Sequence, residues 1–187
     1  MTAIWNNFYD GSKSLEYYAD AMAKLGAATA SSTDEIATGL QKFASIAETV
    51  GLSYEYATAA LATMTSETRE ASDIVGNALK TIFARMESLK LGDTLDDGVT
   101  LGKYSSALKT VGVDILDYKG NLKEMDTILD ELGERWQSIG KNQQIALAQT
   151  VGGVQQYARF ISLMETWDTT KENVELARSA EGTLDEQ

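Results

Sequence analysis

The stretch from Ala71 to Leu89 constrains the fold of this chain more than any other. Ala71, Ile74, Val75, Ala78, Leu79, Ile82, Met86 and Leu89 recur at steps of one, three and four. That spacing gathers them on one side of an α-helix and would scatter them over both faces of a strand. With no proline anywhere in the 187 residues, so long a stripe has to be covered by other helices. The same period governs most of the remaining sequence. Leu15, Tyr18, Met22 and Leu25 lead into Gly26. Ser32 and Glu35 have the spacing of a capping box, so a helix is expected from Thr33, striped by Ile36, Leu40, Phe43, Ala47 and Val50 and closed by Gly51. Ser53 reads as the N-cap of a helix with Ala57, Ala60, Leu61 and Met64 on one face.

In the second half, Leu101, Tyr104, Leu108 and Val111 mark a short helix ended by Gly112, and Met125, Ile128, Leu129, Leu132, Trp136 and Ile139 mark a longer one. Ile145, Ala148 and Val151 carry a short helix into Gly152-Gly153, and Val154, Tyr157, Phe160, Ile161, Met164 and Trp167 form a last stripe. Residues 92–102 read as a loop. Val113-Asp114-Ile115 alternates ahead of the turn formers Asp117 to Asn121, so a small β-hairpin is expected near 113–122. The expectation is an all-α fold, a compact multi-helix domain of about eight helices, with Phe43, Ile74, Leu79, Ile82, Leu132, Trp136 and Phe160 in its core. Residues 1–11 read as a linker from upstream chain and 12–168 as the helical domain. Residues 169–187, where the apolar stripe thins, read as an acidic extension, helical or frayed. One continuous helix of this length would span about 280 Å, whereas glycine breaks and wide stripes predict a body with a radius of gyration of about 16 Å.

Composition removes most catalytic classes. The chain has no Cys and no His, which eliminates thiolate nucleophiles, Cys- or His-ligated metals and the Ser-His-Asp arrangement. Its net charge of −12 opposes a nucleic-acid partner, because little positive charge is available to displace counterions from phosphates. No window is apolar enough to span a bilayer; even the charge-free stretch from Asn142 to Ala158 holds several Asn and Gln. The loop Asp93-Thr94-Leu95-Asp96-Asp97-Gly98 resembles the start of a calcium-binding EF-hand loop, but Leu95 and Tyr104 stand where oxygen ligands are required; it reads as a solvated acidic turn. Glu67 with Glu70, and Glu131 with Glu134, lie three apart on helices and could pair for glycoside hydrolysis. In so acidic a chain such pairs read as solvated helix faces. No catalytic, cofactor-binding or metal-binding residue is assigned, and no cofactor is expected. Gly39, Gly76 and Gly133 interrupt helical stripes at about 1 kcal/mol each relative to Ala. They imply either close helix contact, the preferred reading, or helices built to open under load. Trp136, Trp167 and Phe160 read as core anchors, while Trp5 sits in a polar context with no evident place.

An ordered series of short motifs resembles the core region of phage tail tape measure proteins, in the minor tail protein family of siphophages and prophages of Gram-positive bacteria. The series begins with Gly51-Leu52-Ser53, then Ala57, Ala59, Ala60, Leu61 and Ala62, and the helix of Ile74 to Leu89 with Gly76 and Leu79. It continues through Leu108, Val111-Gly112-Val113, Asp117 and Gly120-Asn121-Leu122-Lys123. Ile128-Leu129, Leu132, Trp136, Leu147-Ala148 and Gly152-Gly153-Val154-Gln155-Gln156 complete it. The likeness runs from about Tyr18 to Trp167.

The resemblance implies a structural, non-enzymatic protein acting in tail assembly, tail-length determination and DNA ejection. It also implies that this segment belongs to a longer chain. The expected partners are other tail proteins (tail tube, tail tip, tail assembly chaperones) or further copies of itself, and no nucleic acid or membrane is expected as a partner of this segment. The expected location is the virion tail, in the tube lumen or at the tip, and the bacterial cytoplasm during assembly. Two rival classes stay open: a helical protein-binding adaptor, which would show an exposed apolar patch, and a His-free lytic enzyme using carboxylates, which would show a cleft holding a strongly perturbed acid.

Overall fold

The computed structural model describes residues 2–180, without the side chains of Thr2, Ala3 and Trp5; the placement of Trp5 and the end of the 169–187 extension therefore lie outside the described residues. Nine α-helices are present among those described: α1 Thr2–Phe8, α2 Leu15–Thr29, α3 Thr33–Val50, α4 Tyr54–Thr68, α5 Ser72–Lys90, α6 Leu101–Lys109, α7 Met125–Arg135, α8 Lys141–Glu165 and α9 Trp167–Arg178. A 3-10 turn, Trp136–Ser138, follows α7. The fold is all-α and compact, as the periodicity requires.

Local capping follows the sequence. Ser32 and Glu35 close a reciprocal capping box at the start of α3, and Ser14, Ser53 and Thr100 cap α2, α4 and α6 through their hydroxyls. The centre is α4, in which every residue from Tyr56 to Met64 is buried. Its alanines leave room for neighbours on all sides, and α2, α3, α5, α8 and α9 pack around it. An isolated helix cannot tolerate an apolar surface all round; a helix enclosed by others can.

Helices α3 and α5 make the closest crossing. A Cβ built on Gly76 would fall inside the van der Waals envelope of the Gly39 carbonyl oxygen, and one built on Gly39 would lie 2.6 Å from the Ser72 carbonyl oxygen. Backbone meets backbone there, so the contact reading of these two glycines holds. Gly133 of α7 likewise leaves its missing side chain's space to the Trp167 ring.

The core contains Phe43, Leu79, Ile82, Leu132, Trp136 and Phe160 as expected. Ile74 is a correction: it is 47% exposed. The buried side of α5 is centred on Val75, Leu79, Ile82 and Met86, and Ile74 falls at its edge in the first turn. A second difference concerns residues 113–122. A single antiparallel bridge, Leu116 to Leu122, replaces the hairpin. Val113 and Ile115 are drawn into the core, and the Asp117 carboxylate accepts from the amides of Lys119 and Asn121 to hold the turn.

At the chain ends, Ile4 of α1 is buried, as are Trp167, Val174 and Ala177 of α9. Helix α9 packs on α2, α4 and α7.

Candidate functional site at the joint between α3 and α4

A group of linked polar side chains gathers where α3 turns into α4. Gly51 adopts φ 77°, ψ 40° as the left-handed end of α3, with its amide donating back to Ala47 and Glu48, a conformation glycine enters without Cβ strain. Leu52 is buried and its amide donates to the Ala47 carbonyl at 2.8 Å. Ser53 then starts α4. Its own amide has no helical partner and donates to both carboxylate oxygens of Asp126, at 3.1 and 3.3 Å. The Asp126 amide in turn donates to the Gly51 carbonyl at 3.3 Å. The first turn of α7 is thereby fastened to the joint.

One turn along α7, Asp130 accepts from the Tyr56 hydroxyl and from the Trp167 indole N–H, the latter at 2.9 Å. The Tyr56 and Trp167 rings are stacked at 5.8 Å between centroids, and the Arg178 guanidinium lies 5.5 Å from the Tyr56 ring centre. Burial raises the Tyr56 hydroxyl pKa, and hydrogen bonding to Asp130 adds to the rise. Burial also pushes Asp126 up from 3.8 to about 6, against the lowering effect of the Ser53 hydrogen bonds. Asp126, Asp130 and Gly133 are spaced by four and three, which is the signal that places them on one face of α7; it sits beside the apolar stripe and is masked by it.

Asp126 also lines an open concavity of about 540 Å³ together with Phe8, Tyr9, Asp10, Glu48 and Glu55. A single Ser53 amide is shared between the two Asp126 oxygens, and this perturbed acid fastens the joint. Its energetic signature is a pH dependence. The folded chain binds this proton more tightly than the unfolded one, so the contribution of Asp126 to stability is greatest below pH 3.8 and falls as pH rises through about 6. A shift of this size corresponds to an energy on the order of 3 kcal/mol. Asp126→Asn, which keeps an acceptor for Ser53, should remove that part of the gain in stability seen on going from neutral to mildly acidic pH. Denaturant melts of both chains at several pH values check this, and parallel pH profiles would refute it.

The other candidate carboxylates are dispersed. Glu131 pairs with Lys123 at 2.9 Å, Glu134 with Lys171 at 3.3 Å and Glu70 with Arg159 at 2.7 Å, while Glu67 is exposed. Members of each pair thus face different partners. In the 93–98 loop, Asp97 binds Arg85 at 2.8 Å and accepts from the Val99 amide. Although desolvation opposes them, these contacts hold its carboxyl below the usual range. Asp93 and Asp96 face solvent. Among the described residues no group of three or more His, Cys, Asp or Glu is placed to hold a metal ion, and no helix is long and apolar enough to cross a membrane. The exposed large apolar residues are spread over several elements, the most open being Tyr118, Val154 and Leu91.

A family model described as phage-related minor tail protein matches residues 1–153. No solved structure matches the chain.

Proposed function

The chain belongs to the family of phage-related minor tail proteins, and from that premise we propose that it is a folded helical module of a tail tape measure protein. The family makes it a structural component of the phage tail, working among other tail proteins. In our reading the module acts in tail assembly, in setting tail length and in DNA ejection, and it carries no catalytic, cofactor or metal site. Its partners are the tail tube, the tail tip and the tail assembly chaperones. It is made in the bacterial cytoplasm and ends in the tube lumen or at the tip. Residues 12–168 are the functional body, on which Ile4 of α1 and Val174 and Ala177 of α9 also pack.

The observation that carries this reading is the family match across a compact all-α body. A net charge of −12 supports it further, because such a surface repels DNA moving past it. The same compactness favours an organising role over that of a plain ruler, which would use one long amphipathic repeat in place of the nine unequal helices found among the described residues. Deleting the segment from the phage gene is the test. We expect few assembled tubes of any length. Normal numbers of tails shortened by about 1.5 Å for each deleted residue would show a measuring stretch instead.

A further inference from the structure

Helix α8 is broken at Gly153, where φ 71° and ψ 174° lie outside the helical region. That combination belongs to glycine almost alone. The break leaves the carbonyls of Thr150 and Val151 without helical donors, and Arg85 of α5 fills the gap. Its Nε donates to the Val151 carbonyl and one terminal nitrogen to that of Thr150, each at 3.0 Å, and the latter nitrogen also binds Asp97. Beyond the break, residues 154–180 form an arm of two short helices. It contributes Phe160, Leu163, Met164, Trp167, Val174 and Ala177 to the core.

The arm is held by separable contacts. Arg159 grips Glu70 with two nitrogens, Trp167 donates to Asp130, and Asn173 donates to the Thr63 hydroxyl at 2.8 Å. The hydroxyl of Thr170 on α9 is buried without a hydrogen-bond partner, so this seam is less favourable than an apolar one. The family match ends at residue 153, at the break itself.

We infer that Gly153 is a hinge through which the 154–180 arm can leave its own body and seat on the same groove of a second copy of this chain. If α8 straightens, Thr150 and Val151 regain helical donors, Arg85 is released, and the arm projects away from its groove. The occupant that fits the vacated groove is the one that already fills it, supplied by another copy with every side-chain contact repeated. The exchange creates no new interface, so concentration and hinge geometry set the balance between the bent single chain and the exchanged pair.

Thr63 and Asn173 touch across the seam, and the chain has no cysteine of its own, so Thr63→Cys with Asn173→Cys reports which body holds which arm. With Gly153 intact, oxidation at low concentration should give an internal crosslink. Adding Gly153→Ala forbids the bent backbone, and about a two-fold increase in mass with an intermolecular crosslink is expected. A monomeric Gly153→Ala chain with an internal crosslink would overturn the inference. Should that variant fail to fold, the double-cysteine chain with Gly153 decides the matter when unfolded and refolded at high and low concentration. Intermolecular crosslinks that grow with concentration support exchange, and internal crosslinks at every concentration reject it.

Discussion

Replacing Gly76 with alanine is expected to lower stability by about 3 kcal/mol, a drop in melting temperature of roughly 10 °C for a chain of this size. Alanine normally strengthens a helix at such a position. Here the added methyl group would meet the Gly39 carbonyl, and neither backbone can yield without parting α3 from α5. Gly102 provides the control. It too lies inside a helix, α6, but its added Cβ would meet nothing nearer than the Thr100 hydroxyl at 3.8 Å. Gly102→Ala should therefore be neutral or slightly stabilising. Thermal or denaturant melts of the two variants read the contrast directly, and equal effects at both sites would mean that the α3–α5 crossing is misplaced.

Trp167→Ala should cost about 4 kcal/mol. Its ring occupies the space over Gly133, stacks on Tyr56 and is 1% exposed, so truncation opens a cavity between α4, α7 and α9. It also strips Asp130 of the indole donor and leaves a half-buried carboxylate less satisfied. Trp167→Phe separates the two losses: most of the volume stays and only the hydrogen bond goes, so its cost should fall in the range of about 1–2 kcal/mol. If the two substitutions proved equally damaging, the hydrogen bond and not the packed volume would dominate.

Much of the interior was legible from side chains that repeat with the helical period, although Leu15, Ile74 and Val154, which share those stripes, stay exposed. The α3 and α5 stripes, the capping box at Ser32 and the close approaches at Gly39, Gly76 and Gly133 all follow from spacing and from the cost of glycine in helices. Beyond Trp167, helix α9 was harder to read because the rest of its buried face is Thr170, Asn173, Val174 and Ala177, small or polar residues that leave almost no hydrophobic signal. The joint was half legible. Gly51 and Ser53 announce the end of one helix and the start of the next, but Asp126 and Asp130 look like ordinary acids in an acidic chain. Only tertiary packing, which sets α7 beside Ser53, Tyr56 and Trp167, turns them into fasteners.

The burial of α4 on every side has a mechanical consequence. Tension applied at the two ends loads α1 and α9 first, and α9 passes it straight to the innermost helix, on which it packs. Once the cover fails, α4 faces water along its whole circumference and has no surviving partner, so the body should yield in one abrupt rip. The rip would release up to about 600 Å of extended chain from a particle a small fraction of that size. A segment built this way stores length and surrenders it above a threshold force, as a fuse does.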